Sequence, residues 1–168
     1  EHDACGVGVV ANINGKKSNK ILKQALVVLH NMDHRGGQGA DANSGDGAGV
    51  LLQIPHNFFA KECAKLDIDL PEPGKYAVGF IFLPPDVVER ENVERHFERI
   101  VEANGQSVLG WRTVPVHPEV LGEKSRQSMP FMAQVFIKPS ENILDRLDID
   151  DNAFERKLYS IRRQAENY

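Results

Sequence analysis

Residues 1–11 read EHDACGVGVVA, and the fold turns on what the glycines there are for. Gly6, Gly8 and Ala11 match the G-x-G-x-x-A turn of a dinucleotide-binding fold, and Asp33 stands about where a ribose-binding acid would. That turn must leave a strand and open a helix, so that a pyrophosphate meets the helix N-terminus. Only EHDA lies upstream, and downstream the Val-rich run stays extended until Asn14-Gly15. The dinucleotide reading therefore fails. The other reading makes Cys5 the point of the stretch, with Gly6 and Gly8 clearing space around its sulfur.

Outward from this start, Gly6–Ile13 reads as a strand, and Ser18 can cap a helix running to about Asp33. Ile21, Leu22, Ala25, Leu26, Leu29 and Met32 recur at helical spacing, which predicts one buried face. HRGGQGADANSGDGAG follows, residues 34–49. Such glycine density means tight turns with positive φ, or backbone approaching something closely. Val50–Ile54 reads as a short strand, and Pro55 suits the first turn of a helix reaching about Leu66. Tyr76–Leu83, YAVGFIFL, is almost wholly apolar and predicts a strand buried on both faces. Asp86 can cap a helix ending near Gly105 with Val93, Phe97, Ile100 and Val101 inward. Ser107–Val116 and Phe131–Ile137 read as further strands, and Asn152 to about Gln164 as a charged helix. The mixture predicts an α/β or α+β chain.

Composition narrows the partners. The 168 residues are 41% hydrophobic and 26% charged, with a formal net charge of -4. An acidic balance argues against nucleic acid or an anionic membrane surface. No apolar run approaches the roughly 20 residues of a membrane span. Two cysteines argue against a disulfide framework and fit a reducing compartment. A cytoplasmic setting is expected, or a plastid one if a transit peptide has been removed.

The remaining motifs carry little chemistry by themselves. The glycine loop lacks the G-K-[ST] ending of a phosphate-binding loop. Asp41, Asn43 and Asp46 hint at a calcium loop, but Leu52 stands where the bidentate Glu should be. His30 and His34 are four apart without the Glu of an H-E-x-x-H pair, so no metal site is expected. Cys63 sits mid-helix in FFAKECAKL and reads as a small core residue. Cys5 is either a partly buried structural thiol or, were it the first residue, a nucleophile beside its own α-amino group. That amine titrates near 7.7–8.0 and a thiol near 8.5, so the pair is poised for attack at neutral pH.

The whole constellation adds a resemblance. CGVGVVANINGKK…LHNMDHRGGQGADANSGDGAGVLLQIPHNFF, residues 5–59, resembles the class II glutamine amidotransferase domain that opens the large subunit of glutamate synthases, an N-terminal-nucleophile (Ntn) hydrolase. DHRG and GDGAGVLLQIPH carry it most specifically; from Tyr76 the likeness is more diffuse. The resemblance implies an α+β fold, part of a four-layer αββα Ntn sandwich with antiparallel sheets. Residues 1–4 would be the end of a propeptide, and residues 5–168 the N-terminal portion of the amidotransferase domain.

By the same resemblance Cys5 is the catalytic nucleophile that releases ammonia from glutamine. Arg35 matches the arginine that closes over the glutamine site, with a buried arginine holding the glycine loop as the alternative. Gly36, Asp46 and Gly47 match the loop that shapes the site, in structural rather than catalytic roles. The family's H-N-G-E oxyanion element and its H-S-R-F-S-T-N segment do not occur in these residues. An oxyanion donor is worth about 2.7–4 kcal/mol, so this segment alone is expected to be nearly inactive. FMN and an iron–sulfur cluster are implied for the rest of the family's chain and none for this segment. Implied partners are glutamine, the remainder of a synthase chain acting on 2-oxoglutarate, and a small electron-donating subunit. Two alternatives stand beside this reading: a stand-alone class II amidotransferase of another pathway, or a non-catalytic regulatory module on the same scaffold.

Overall fold

The computed structural model describes residues 6–167 apart from 38, 40, 42 and 145–151. The chain divides into two compact units, Ile54–Pro115 with Pro130–Tyr168, and Glu1–Gln53 with Val116–Met129. Helices and an antiparallel sheet together make it α+β.

The first of these units is built on three strands, β1 (Ala77–Leu83), β2 (Ser107–Thr113) and β3 (Phe131–Lys138). Their order is β1-β3-β2, all antiparallel, with Val78 opposite Phe136 and Trp111 opposite Val135. Helix α3 (Val87–Ala103) and helix α6 (Ala153–Ala165), which follows the short helix α5 (Glu141–Leu144), contribute Phe97, Ile100, Val101, Phe154 and Ile161 to a core shared with Val135 and Ile137. Helix α2 (His56–Ala64) contributes Phe59 and Cys63 to a second cluster with Tyr76 and Phe136. Burial of each large side chain of this kind is worth about 1.5–3 kcal/mol.

Local chemistry explains α3. The Asp86 carboxylate accepts from the backbone N–H groups of Val88 and Glu89, both at 2.9 Å, satisfying two donors the helix cannot. At the other end Gly105 takes φ +73°, and Gln106 N–H donates to Val101 while Gly105 N–H donates to Glu102. That is the paired-bond stop which a glycine just past a helix permits.

Strand β1 departs from expectation. Leu83 is buried, yet Phe80 is 49% and Phe82 65% exposed, their rings 5.3 Å apart. A nine-residue helix reaches only about 13 Å, and α2 covers the Val78–Phe136 end of that face. An apolar run records what a strand can bury, and here nothing described lies over the two rings.

The other unit contains helix α1 (Asn19–Asn31), a 3₁₀ turn at Asp33–Arg35, a second 3₁₀ turn at Pro118–Val120 and helix α4 (Glu123–Gln127). Ser18 stands at the N-cap of α1 without a side-chain capping bond. The predicted stripe of α1 is only half-covered: Ile21, Leu22, Ala25, Leu29 and Met32 are partly buried, and Leu26 is exposed. Gly6–Ile13 and Val50–Ile54 are not in strands. Among the described residues neither run pairs with a neighbouring strand, and a strand exists only by such pairing. Val7, Val9 and Leu51 are exposed accordingly. The chain turns at Asn14-Gly15 as its sequence predicts, Gly15 N–H donating to Asn12 O at 2.9 Å with Gly15 at φ +67°.

Candidate active site

The residues that follow Cys5 lie against α1. A Cβ on Gly8 would collide with the Val28 side chain, and one on Gly6 would stand 3.0 Å from Met32 Sδ and 3.7 Å from Arg35 Cδ. Two absent side chains thus let this backbone rest on the helix, and they bring residue 6 beside Arg35. Cys5 itself and the preceding four residues lie outside the described residues.

Arg35 closes the 3₁₀ turn, its N–H donating to Met32 O at 2.8 Å and Gly36 N–H donating to Asp33 O at 3.0 Å. Its side chain is exposed, and among the described residues its guanidinium has no hydrogen-bonding or ion-pair partner. The glycine loop is held instead by its own rungs. Gly37 N–H donates to Asp46 Oδ2 at 2.8 Å, and Asp46 N–H returns a bond to Gly37 O at 3.2 Å. Closer to the tip, Gly39 N–H donates to Ser44 O at 2.6 Å.

Among the described residues, no glycine from Gly36 to Gly49 has a positive φ. Close approach is the reason for three of them: a Cβ would meet Asp46 Oδ2 at 3.1 Å from Gly37, Ser44 O at 2.8 Å from Gly39, and Gly37 O at 2.7 Å from Gly45. Gly36 would approach Asp33 O at 3.3 Å, and Gly47 faces open space.

The loop tip carries residues the sequence did not single out for this role. Asp41 Oδ1 accepts from Asn43 N–H at 3.1 Å, and Asp41 O accepts from Ser44 N–H at 3.2 Å. Asp41 Oδ2 accepts from Lys124 N–H at 3.3 Å, Gly122 N–H donates to Asn43 O at 3.3 Å, and Ser125 Oγ donates to Ser44 Oγ at 2.8 Å. Partial burial works to raise the Asp41 pKa. The hydrogen bonds from the Ser44 side chain and from the Lys124, Asn43 and Ser44 backbones outweigh it and hold the carboxyl below its usual range. The D-x-N-S spelling of an Asx turn was the available local signal; the partner more than eighty residues away had none.

Cys63 is fully buried, and burial pushes its thiol up in pKa. His34 Nδ1 lies 3.0 Å from Asn31 O, the contact of a helix-end histidine. Among the described residues no group of three or more His, Cys, Asp or Glu could hold a metal, and no helix is long and apolar enough to cross a membrane.

Cys63 is a buried thiol in one unit, and in the other the glycine-lined segment after Cys5 lies on α1, which leaves the N-terminal segment as the candidate centre. The family described as Glutamine amidotransferases class-II matches residues 5–168, beginning at Cys5. The chain belongs to this family of amidotransferases. Among similar proteins is the "Glutamate synthase [NADPH] large chain" of Bacillus subtilis (strain 168), 49% identical over 168 residues, which are 100% of this chain and 11% of that protein. The "Glutamate synthase [NADH]" of Saccharomyces cerevisiae is 41% identical over 98% of this chain and 8% of its own length. "Ferredoxin-dependent glutamate synthase 1, chloroplastic/mitochondrial" of Arabidopsis thaliana is 41% identical over 99% of this chain and 10% of its own. The amidotransferase chain therefore spans about a tenth of the length of these relatives.

Proposed function

We propose that this chain is the glutaminase portion of a glutamate synthase and that Cys5 is its nucleophile. The observation that carries the proposal is the seating of Gly6, the neighbour of Cys5 in sequence, on α1 beside Arg35, a cation without a partner among the described residues. With Cys5 as the first residue, its thiolate attacks the side-chain amide carbon of glutamine. The carbon–nitrogen bond breaks, ammonia leaves with the proton the α-amino group took from the thiol, and water hydrolyses the γ-glutamyl thioester to glutamate and free thiol. While residue 4 remains attached, that nitrogen is an amide and cannot take the proton; residues 1–4 thus fit the end of a propeptide. Arg35 offers a planar fork of donors suited to the carboxylate of glutamine. Gly36, Asp46 and Gly47 belong to the loop that shapes the site, with Asp46 closing it.

The four-layer Ntn sandwich is the architecture we assign. Its support is the exposed Phe80–Phe82 face, since a second sheet packing about 10 Å away would cover such rings. In this reading ammonia passes to a synthase region acting on 2-oxoglutarate, outside the residues in hand, with a small subunit as electron donor. The FMN and iron–sulfur cluster belong to that region in this reading. Two cysteines, one of them buried in the core of the other unit, do not supply the thiolates of an all-cysteine cluster. We assign it to the cytoplasm or a plastid; the word chloroplastic in the name of the Arabidopsis thaliana relative supports the second.

A glutamine-analogue diazo-ketone tests the assignment in the full-length chain with Cys5 terminal. Labelling of Cys5 with loss of glutamine-dependent ammonia release, Cys63 being spared, is the expected result. A label found on Cys63, or undiminished ammonia release by Cys5→Ala, would overturn it.

A further inference from the structure

Asp41 has no place in the chemistry above, yet both of its carboxylate oxygens are engaged. One oxygen closes the Asx turn with Asn43, and the other accepts from Lys124 in the first turn of α4. Gly122, at the N-cap of α4, has no side chain to cap that helix, and Asp41 supplies the acceptor from 83 residues away. The fit is tight: a Cβ on Gly122 would collide with Asp41 and stand 2.6 Å from Ser44 Oγ. Among the described residues of this unit, Gly122 is also the only one that is buried.

The consequence follows along the loop. Asn43 O and Ser44 Oγ are bound to Gly122 and Ser125, and Ser44 O is bound to Gly39. The Gly37–Asp46 rung comes next, and Gly36 and Arg35 follow at its foot. From a freely pivoting tip, the rungs could swing together about Gly36. Clamped at 122–125, they cannot. We infer that Asp41, with Gly122, is a positioning element that fixes the glycine loop and thereby the stance of Arg35 over glutamine; this rests on the glutaminase reading.

The element acts on where substrate is held and leaves the nucleophile's own chemistry alone. Arg35 would hold the carboxylate of glutamine away from the reacting amide, an interaction equal in ground and transition state, so the effect belongs mainly to glutamine KM. The experiment uses the full-length chain with Asp41→Asn, which keeps the volume but turns an amide NH₂ or a weaker acceptor toward Lys124 N–H. It also uses Gly122→Ala, which wedges the clamp from its far side. Three readouts are compared: amide hydrogen exchange of the 36–47 peptide, glutamine KM and kcat, and Cys5 alkylation by iodoacetamide, which needs no glutamine pocket.

Expected are faster exchange at 36–47 in both variants, by about tenfold for a lost local constraint, and glutamine KM raised about tenfold with kcat within about threefold. Alkylation of Cys5 should be unchanged. Exchange unaltered in both variants would overturn the clamp. Faster exchange with an unaltered KM would overturn the positioning role and leave the glutaminase reading standing. Loosened variants of a parent chain that itself releases no ammonia from glutamine would sink that reading, and the positioning role with it. Slowed alkylation would also overturn it, by showing that the clamp acts on the thiol.

Discussion

Ile54–Pro115 with Pro130–Tyr168 holds every buried hydrophobic side chain among the described residues, and Glu1–Gln53 with Val116–Met129 holds none. The two units stay together by different means. One has a sheet with apolar side chains from α2, α3 and α6 packed on its strands. The other has a half-covered helix, a glycine loop of backbone rungs and the Asp41–Gly122 clamp. Apolar burial is non-directional and sums to large energies; hydrogen bonds fix geometry and contribute modestly, about 0.5–1.5 kcal/mol each. The candidate site lies in the unit specified by geometry. Loops that must admit a substrate belong to the less stable part of a fold, and the contrast follows that rule.

The largest effect should come from emptying the sheet's centre. Phe136 is fully buried on β3 and meets Phe59 edge-on at 5.3 Å. Phe136→Ala is expected to cost about 3–5 kcal/mol, read from denaturant unfolding. A cost below about 1 kcal/mol would mean that this sheet is not a core and that the two units are alike.

A smaller effect should come from the ion pair that ties α2 to the sheet. Buried Arg112 donates to Glu62 Oε2 at 2.8 Å and to Gln134 Oε1 at 3.0 Å. Hydrogen bonds from Lys65 and then Arg112 hold the Glu62 carboxyl below its usual range. A group depressed in the folded state stabilises above its unfolded pKa, about 4.3 for Glu. That contribution is lost as the pH falls through the lower folded value. The melting temperature should therefore drop in acid, and Glu62→Gln should flatten that part of the profile. An unchanged acid limb in Glu62→Gln would remove this pair from the account.

The same contrast decides what could be read from sequence. In the sheet unit, local signals coincide with tertiary ones. Asp86 caps where its type predicts, Gly105 stops the helix, and Phe97, Ile100 and Val101 are inward at helical spacing. In the other unit they part company. Gly6–Ile13 and Val50–Ile54 have strand composition, but pairing is a property of two segments and composition belongs to one. Leu26 lies within the apolar periodicity and outside the covered stripe. Glycine density correctly signalled close backbone approach at Gly37, Gly39 and Gly45, while the positive-φ alternative held elsewhere, at Gly15 and Gly105. The partner of Asp41 was illegible because nothing periodic links residue 41 to residue 124.

The smallest effect tests the comparison most sharply. Leu29 sits on the predicted inward stripe of α1 and would, if fully buried, lose about 2–5 kcal/mol on truncation to alanine. It is only partly buried, and α1 has no buried residue at all. Truncation there removes less apolar area from cover and leaves no closed cavity, because water follows the receding side chain. Alanine is also the better helix former. The expected cost of Leu29→Ala is therefore about 1 kcal/mol at roughly 25 cal/mol per Å² of partly covered surface. In the full-length chain, the same substitution reports on what else reaches α1. A loss near 1 kcal/mol keeps the contrast between the units, with the site held by hydrogen bonds and close glycine contacts. A loss above about 3 kcal/mol, the range of a closed cavity, would show a second core covering the stripe, and the geometric account of the site unit would give way to one based on burial.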